Sequence, residues 1–292
     1  MSNLSDIKRR IASVKQTRQI TGAMETVSVA KMRKAIDKLE GNRAYTKALC
    51  DVMRIVETSA AFIDRDADAE RRKHKNGSEI LVVFSSDRGL CGGFDHDIFR
   101  FAEKLINERT VVMPVGQTAC GYYKSRSAVD IRLSDAYVAE YRNSERIAKI
   151  LLDLYENGAA SVTLVYSELL SRSTYGPQAT RLLPSADSAD SDRKSISTVD
   201  CFEPSESDIK NILIPMYVAG VVYGALLNNV AAEHCARHAA MSAATESADD
   251  VISRLSIEYN RARQSSVTEQ IVEIIGSTAA LKDQGAVNEK RP

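Results

Sequence analysis

The chain has 292 residues, 44% hydrophobic and 27% charged, with 39 Lys and Arg balanced by 39 Asp and Glu. The zero net charge excludes a whole-chain electrostatic case for nucleic acid or an acidic membrane surface. The five cysteines (Cys50, Cys91, Cys120, Cys201 and Cys235) have no regular spacing and form no C-x-x-C pair, which excludes a disulfide framework and a thiolate zinc site.

The N-terminal stretch Met1–Gln16 lacks the apolar core of a secretion signal. From about Asn3 to Ala61 no proline interrupts the chain. Ser5 reads as an N-cap, and Leu4, Ile7, Ile11 and Val14 recur in steps of three and four. Ile20, Met24 and Val27 extend that seam. A helix of this length, about 80 Å at 1.5 Å per residue, belongs to a coiled coil rather than to a globular core. It is basic: Lys and Arg outnumber Asp and Glu roughly two to one up to Ala60.

The middle of the chain changes period. Ile80–Phe84 is a short β-branched run bounded by Gly77 and by Ser85-Ser86-Asp87, as in a buried strand. Asp95 to Arg109 reads as helix and Val111–Val115, closed by Gly116, as strand. Ser144 to Asn157 reads as an amphipathic helix ended by Gly158, and Ser161–Tyr166 as a third strand. Alternating strands and helices imply βαβ units and a mainly parallel sheet. Ala186 to Lys194 reads as a polar loop, and Ile196 to Phe202 as an added edge strand.

From Ser205 the pattern is helical again, opened by a Ser205/Asp208 capping pair. Ala244, Ala248, Val251, Leu255 and Ala262 make a second seam, continued by Ile271, Ile274 and Ile275. The longest apolar stretch, Ile212–Leu227, is broken by Pro215, Gly220 and Gly224, so direct membrane insertion is not expected. Neither long helix can bury its seam alone. The expected fold is an α/β domain, a mainly parallel sheet with flanking helices, inserted between two long N- and C-terminal helices that form an antiparallel coiled coil. The expected divisions are residues 1–61, 77–202 and 205–281, with 282–292 as a flexible tail.

Several short stretches carry a functional and a structural reading. The Gly-rich loop from Ser85 to Gly93 follows a strand, where exposed backbone N–H groups take up anions. It has neither the Lys-Ser/Thr of a Walker A loop nor G-x-G-x-x-G spacing, so tight turning is the better account. Cys91 at a helix start has no orienting base, and a packed thiol is favoured over a nucleophile. His234 and His238, four apart beside Glu233, have zinc-compatible spacing without a third ligand; a polar patch is favoured. The Arg71–Lys75 basic run reads as a solvated loop rather than a nucleic-acid site.

Four separated segments together resemble the gamma subunits of F-type (rotary) ATP synthases of bacterial type. They are Arg18–Glu25 with Ala30–Lys34; Ser85–Phe94; Ala232–Arg237; and Tyr259–Gln264 with Thr268 and Glu273–Gly276. The resemblance implies a non-catalytic central-stalk rotor without catalytic, cofactor or metal residues of its own. Its implied partners are three alpha and three beta subunits around one gamma, an epsilon subunit and a membrane c-ring, with no nucleic acid. Ion transport through that ring, protons by default, would turn the shaft and drive ATP synthesis. Met24, Arg237, Arg263, Gln264 and Thr268 match positions of contact with the alpha–beta ring and of coupling. Ser86, Asp87, Arg88, Gly89, Cys91, Gly92 and Gly93 match the hallmark loop, and Phe202 and Glu203 the contact with the membrane ring. The implied location is peripheral, on the cytoplasmic face of a bacterial inner membrane, or the matrix side of a mitochondrion. Asp95 departs from the usual Asn, and Asn228-Asn229, Thr26–Val29 and Ser242–Ser247 also depart from the pattern. Two other classes compete: an α/β enzyme using the Ser85–Phe94 loop, and a self-assembling coiled-coil scaffold, for which this Ala-rich, polar seam is poorly suited.

Overall fold

The computed structural model describes residues 4–58, 77–124, 140–171, 173–184 and 206–288. In chain order the elements are α1 (Leu4–Thr58), β1 (Glu79–Phe84), α2 (Phe94–Glu103), β2 (Thr110–Val115) and α3 (Gln117–Tyr122), followed by α4 (Tyr141–Glu156), β3 (Ser161–Leu169), β4 (Tyr175–Leu183) and α5 (Glu206–Asn288). By contacts the chain forms two compact units, Met1–Met24 with Met241–Pro292, and Glu25–Ala240.

Within Glu25–Ala240 the four strands form one sheet in the order β2-β1-β3-β4. β1 runs parallel to both β2 and β3, and β4 is antiparallel to β3. The expected mainly parallel sheet is present. Central β1 is apolar at almost every position because both its faces are covered, as parallel strands require. One face packs Ile80, Val82 and Leu164 against Ile147 and Leu151 of α4 and Val218, Val222 and Leu226 of α5. The other packs Leu81, Val83 and Val165 against Phe94 and Ile98 of α2 and Ala232 and Ala236 of α5. Each of the larger side chains stabilises the fold by about 1.5–3 kcal/mol through burial.

β4 was not legible as a strand. Its Tyr175-Gly-Pro-Gln sequence lacks apolar alternation, and most of its side chains are half-exposed. Among the described residues it pairs only with β3, and such an edge tolerates Pro177. The edge strand expected at Ile196–Phe202, the polar loop at Ala186–Lys194, the Ser205 cap and the Arg71–Lys75 run lie outside the described residues. α3, also unread, begins after Gly116, whose φ is 107°. A Cβ at Gly116 would lie 2.6 Å from Ser85 Oγ and 2.8 Å from Ser85 O, so only glycine brings the end of β2 this close to the end of β1.

The long helices run antiparallel in each unit. In one, Arg18 Nε donates to Asp249 Oδ1 at 2.5 Å and the Thr21 and Thr245 hydroxyls meet at 2.7 Å. In the other, Glu25 lies 3.6 Å from His238, and Asn42 Nδ2 donates to Gly220 O at 3.2 Å. Rising numbers on α1 meet falling numbers on α5. The glycines here do not interrupt the helix; a Cβ at Gly224 would stand only 3.0 Å from Asn42 Nδ2, so glycine admits close approach.

The expected seam of α1 holds at buried Ile7 and at half-buried Leu4, Ile11, Val14 and Met24, and fails at two positions. Ile20 and Val27 are each 53% exposed, whereas Thr21, Ser28, Met32, Ala35, Leu39, Asn42 and Leu49 are buried. Their spacing is the three–four alternation of a heptad. Apolarity alone picked the neighbouring positions, because the buried sites at Thr21, Ser28 and Asn42 are polar. On α5, Ala248 is buried, and Ala244, Val251, Leu255 and Ala262 are half-buried, as expected. Ile271, Ile274 and Ile275 are 51–64% exposed rather than seam residues. α5 runs to Asn288, past the expected end at Leu281. It also contains a stretch long and apolar enough to cross a membrane by composition. The burial of Val218, Ala219, Val222, Ala225 and Leu226 against the sheet accounts for much of that apolarity.

Candidate functional site

The loop after β1 is built from its own polar side chains. The backbone N–H and Oγ of Ser86 donate to Asp95 Oδ1 and Oδ2 at 2.8 and 2.5 Å. Thr118 Oγ1 donates to Ser86 O at 2.8 Å, the Ala119 N–H to Ser85 Oγ at 2.8 Å, and the Gln117 N–H to Asp87 Oδ1 at 3.1 Å. Asp95 is therefore the anchor of the loop. Leu90 and Gly92 adopt positive φ, 65° and 61°, and Leu90 is 64% exposed.

Arg237 of α5 holds this loop from the other side. Its Nη2 donates to Arg88 O at 2.9 Å and Gly89 O at 3.3 Å, and also to Glu233 Oε1 at 2.7 Å, one helical turn back. Its Nη1 lies 3.0 Å from His234 Nδ1. All three side chains are buried. Burial pushes Glu233 up to about 7 against the pull of Arg237. Burial, then the cations Arg237 and Lys31, push His234 down to about 4, so at neutral pH it is an uncharged acceptor for the guanidinium. A histidine spent in this way beside a cation is not poised for zinc. His238 instead faces Glu25 of α1.

The loop turns carbonyl oxygens, not N–H groups, toward its partner, a polarity opposite to that of an anion cradle. Cys91 is buried, with its thiol 3.5 Å from Asp95 Oδ2. Burial, then the Asp95 charge, push it up to about 11, so it is a protonated, packed thiol at neutral pH.

The residues matched to ring contact are dispersed. Arg263, Gln264 and Thr268 are exposed on α5, and Thr268 Oγ1 donates back to Gln264 O at 2.9 Å. Beyond them Val267, Ile271, Val272, Ile274 and Ile275 are all about half or more exposed, an apolar surface that no described residue covers. Met24 is half-buried on α1. Phe202 and Glu203 lie outside the described residues. Sequence reading singled out Arg237 but missed Glu233 and His234 as its partners. The i,i+3 and i,i+4 spacing was the available signal.

The fold defines a class: a mainly parallel α/β domain inserted in the sequence between two long helices. A family model described as ATP synthase matches residues 3–281. The chain is 34% identical to the ATP synthase gamma chain of Pelotomaculum thermopropionicum, over 97% of this chain and all of that one. It is 37% identical to that of Fuscovulum blasticum, over 96% and 100%. Among solved structures it resembles a chain of the central stalk and c-ring of the Tetrahymena thermophila mitochondrial ATP synthase, at 25% identity and a TM-score of 0.59, over 77% of this chain and 99% of that one. The chain belongs to the ATP synthase gamma chain family.

Proposed function

We propose that the chain is the central rotor of a proton-translocating ATP synthase and carries no catalytic site of its own. Rotation of a membrane c-ring would turn it, and its changing face would drive three catalytic beta subunits through different states. The energetic link is differential contact: each rotor angle favours one conformation of each beta subunit. The observation that carries the reading is the division of labour along α5. Its residues 218–237 are gripped by the α/β domain, while Val267 to Ile275 leave a half-exposed apolar surface beside Arg263, Gln264 and Thr268. Those three, with Met24, are the proposed contacts to a ring of three alpha and three beta subunits. The α/β domain, with Phe202 and Glu203, is the proposed foot on the c-ring and the seat of an epsilon subunit. The complex would hold the chain peripherally at the cytoplasmic face of a bacterial membrane.

The native mass of the assembly that co-purifies with this chain from gently solubilised membranes tests the proposal. One copy bound to three copies each of two larger nucleotide-binding subunits is the expected result. A lone monomer or homo-oligomer, with those larger subunits intact in the same membranes, overturns it.

A further inference from the structure

In open α/β sheets the ligand crevice lies beyond the carboxyl ends of the strands, where neighbouring strands send their connections in opposite directions. Here that point lies between β1, which leads to β2 on one side, and β3, which leads to β4 on the other. No small molecule is needed to fill it, because α5 runs through it. Val218 to Leu226 of α5 belong to the core on one face of the sheet, and Ala232 and Ala236 to the core on the opposite face. The helix therefore crosses the carboxyl edge of β1 and β3 between Leu226 and Ala232.

Asn229 stands at that crossing and is 2% exposed. The parallel pairing of β1 with β3 ends at Val83 and Val165. Two residues further on, the Ser167 N–H donates to Asn229 Oδ1 at 3.2 Å, and Asn229 Nδ2 donates to Ser85 O at 3.4 Å. One side-chain amide thus supplies the acceptor and the donor that the parting strands no longer give each other. An apolar residue of the same size would leave a buried carbonyl and a buried N–H without partners.

We propose that Asn229 is a positioning residue for torque transfer: α5 occupies the crevice as a built-in ligand, and the Asn229 amide bridge locks the α/β domain to the helix so that the two turn together. This rests on the rotor reading above. Apolar packing resists separation but is non-directional, whereas two opposed hydrogen bonds to two strands fix the rotational setting of the helix.

The test uses the complete ATP synthase reconstituted in vesicles, with protons moved per ATP hydrolysed as the readout. Complexes carrying Asn229→Leu are compared with wild type and with Val222→Ala, which weakens the same core without touching the bridge. Asn229→Leu is expected to lower the ratio several-fold. Val222→Ala, with a comparable fall in Tm, is expected to keep the wild-type ratio. Where Asn229→Leu does not assemble, Asn229→Ser, too short to span both strands, takes its place with the same expectation. A wild-type ratio in the Asn229 variant, or an equal loss in Val222→Ala, overturns the proposal. Pumping that persists when the chain is omitted sinks the rotor reading itself. Pumping that needs the chain but tolerates loss of the bridge sinks only the role of Asn229.

Discussion

Arg237 bonds at once to a carboxylate, an imidazole and two loop carbonyls. Arg237→Ala strands Glu233 in a buried site and frees the loop; a loss of about 3–5 kcal/mol is expected in urea unfolding. Retention of wild-type stability would show that the network is incidental. The same cluster has a defined pH response. Glu233 is raised above its usual 4.5, so its contribution is full at low pH and is lost as pH rises from there toward about 7. His234 is depressed below 6.5, so its contribution is lost as pH falls from there toward about 4. Between pH 4.5 and 6.5 the two slopes oppose. Glu233→Gln keeps an acceptor for Arg237 but removes one slope, so stability of that variant is expected to rise more steeply with pH across this window than in wild type. Parallel stability–pH curves for the two proteins would refute the assignment.

At the scale of the element, the close approach of α1 and α5 depends on small side chains in the buried seam. Ser28 is 2% exposed and Ala35 4%. Ser28→Leu inserts bulk into that contact and is expected to cost about 1–3 kcal/mol by overpacking, read as a lower Tm. Val27→Ala, one position away but half-exposed, is expected to change stability by no more than about 0.5 kcal/mol. The opposite order of effects would restore the seam expected from apolarity alone.

At the scale of the whole molecule, the proposed rotor role assigns the exposed isoleucines and the basic α1 to partners rather than to folding. Replacing Ile274 and Ile275 together by Ser is expected to leave the unfolding of the isolated chain within about 0.5 kcal/mol and to weaken its retention on an alpha–beta ring. Loss of folded chain instead would mean that these residues pack internally. Arg33 and Lys34 are exposed, and a cationic shaft gains long-range attraction to acidic partner loops without fixing one geometry. Charge reversal at both is expected to impair coupled ATP hydrolysis and to alter its salt dependence. Unchanged coupling would remove that role.

The sequence by itself determined the long helices, the three parallel strands and the family, because each rests on local signals: seams in steps of three and four, β-branched runs between glycines, and contiguous motifs such as Ser85–Phe94. It also singled out Arg237 and the Ser85–Phe94 loop, which the structure brings into contact. What only the tertiary structure decided depends on contacts between distant segments. The seam passes through Thr21, Ser28 and Asn42 because their smallness and hydrogen bonding matter once two helices meet, a property that hydropathy does not register. Tyr175–Leu183 is a strand because β3 offers it an edge, not because its own residues alternate. Glu233, His234 and Asn229 read as polar residues on a helix until the fold lays the sheet's carboxyl edge across them. Burial then turns ordinary side chains into a clamp, since a buried polar group must find a partner: Asn229 finds the backbone of Ser85 and Ser167, and Glu233 and His234 find Arg237, which holds the loop carbonyls.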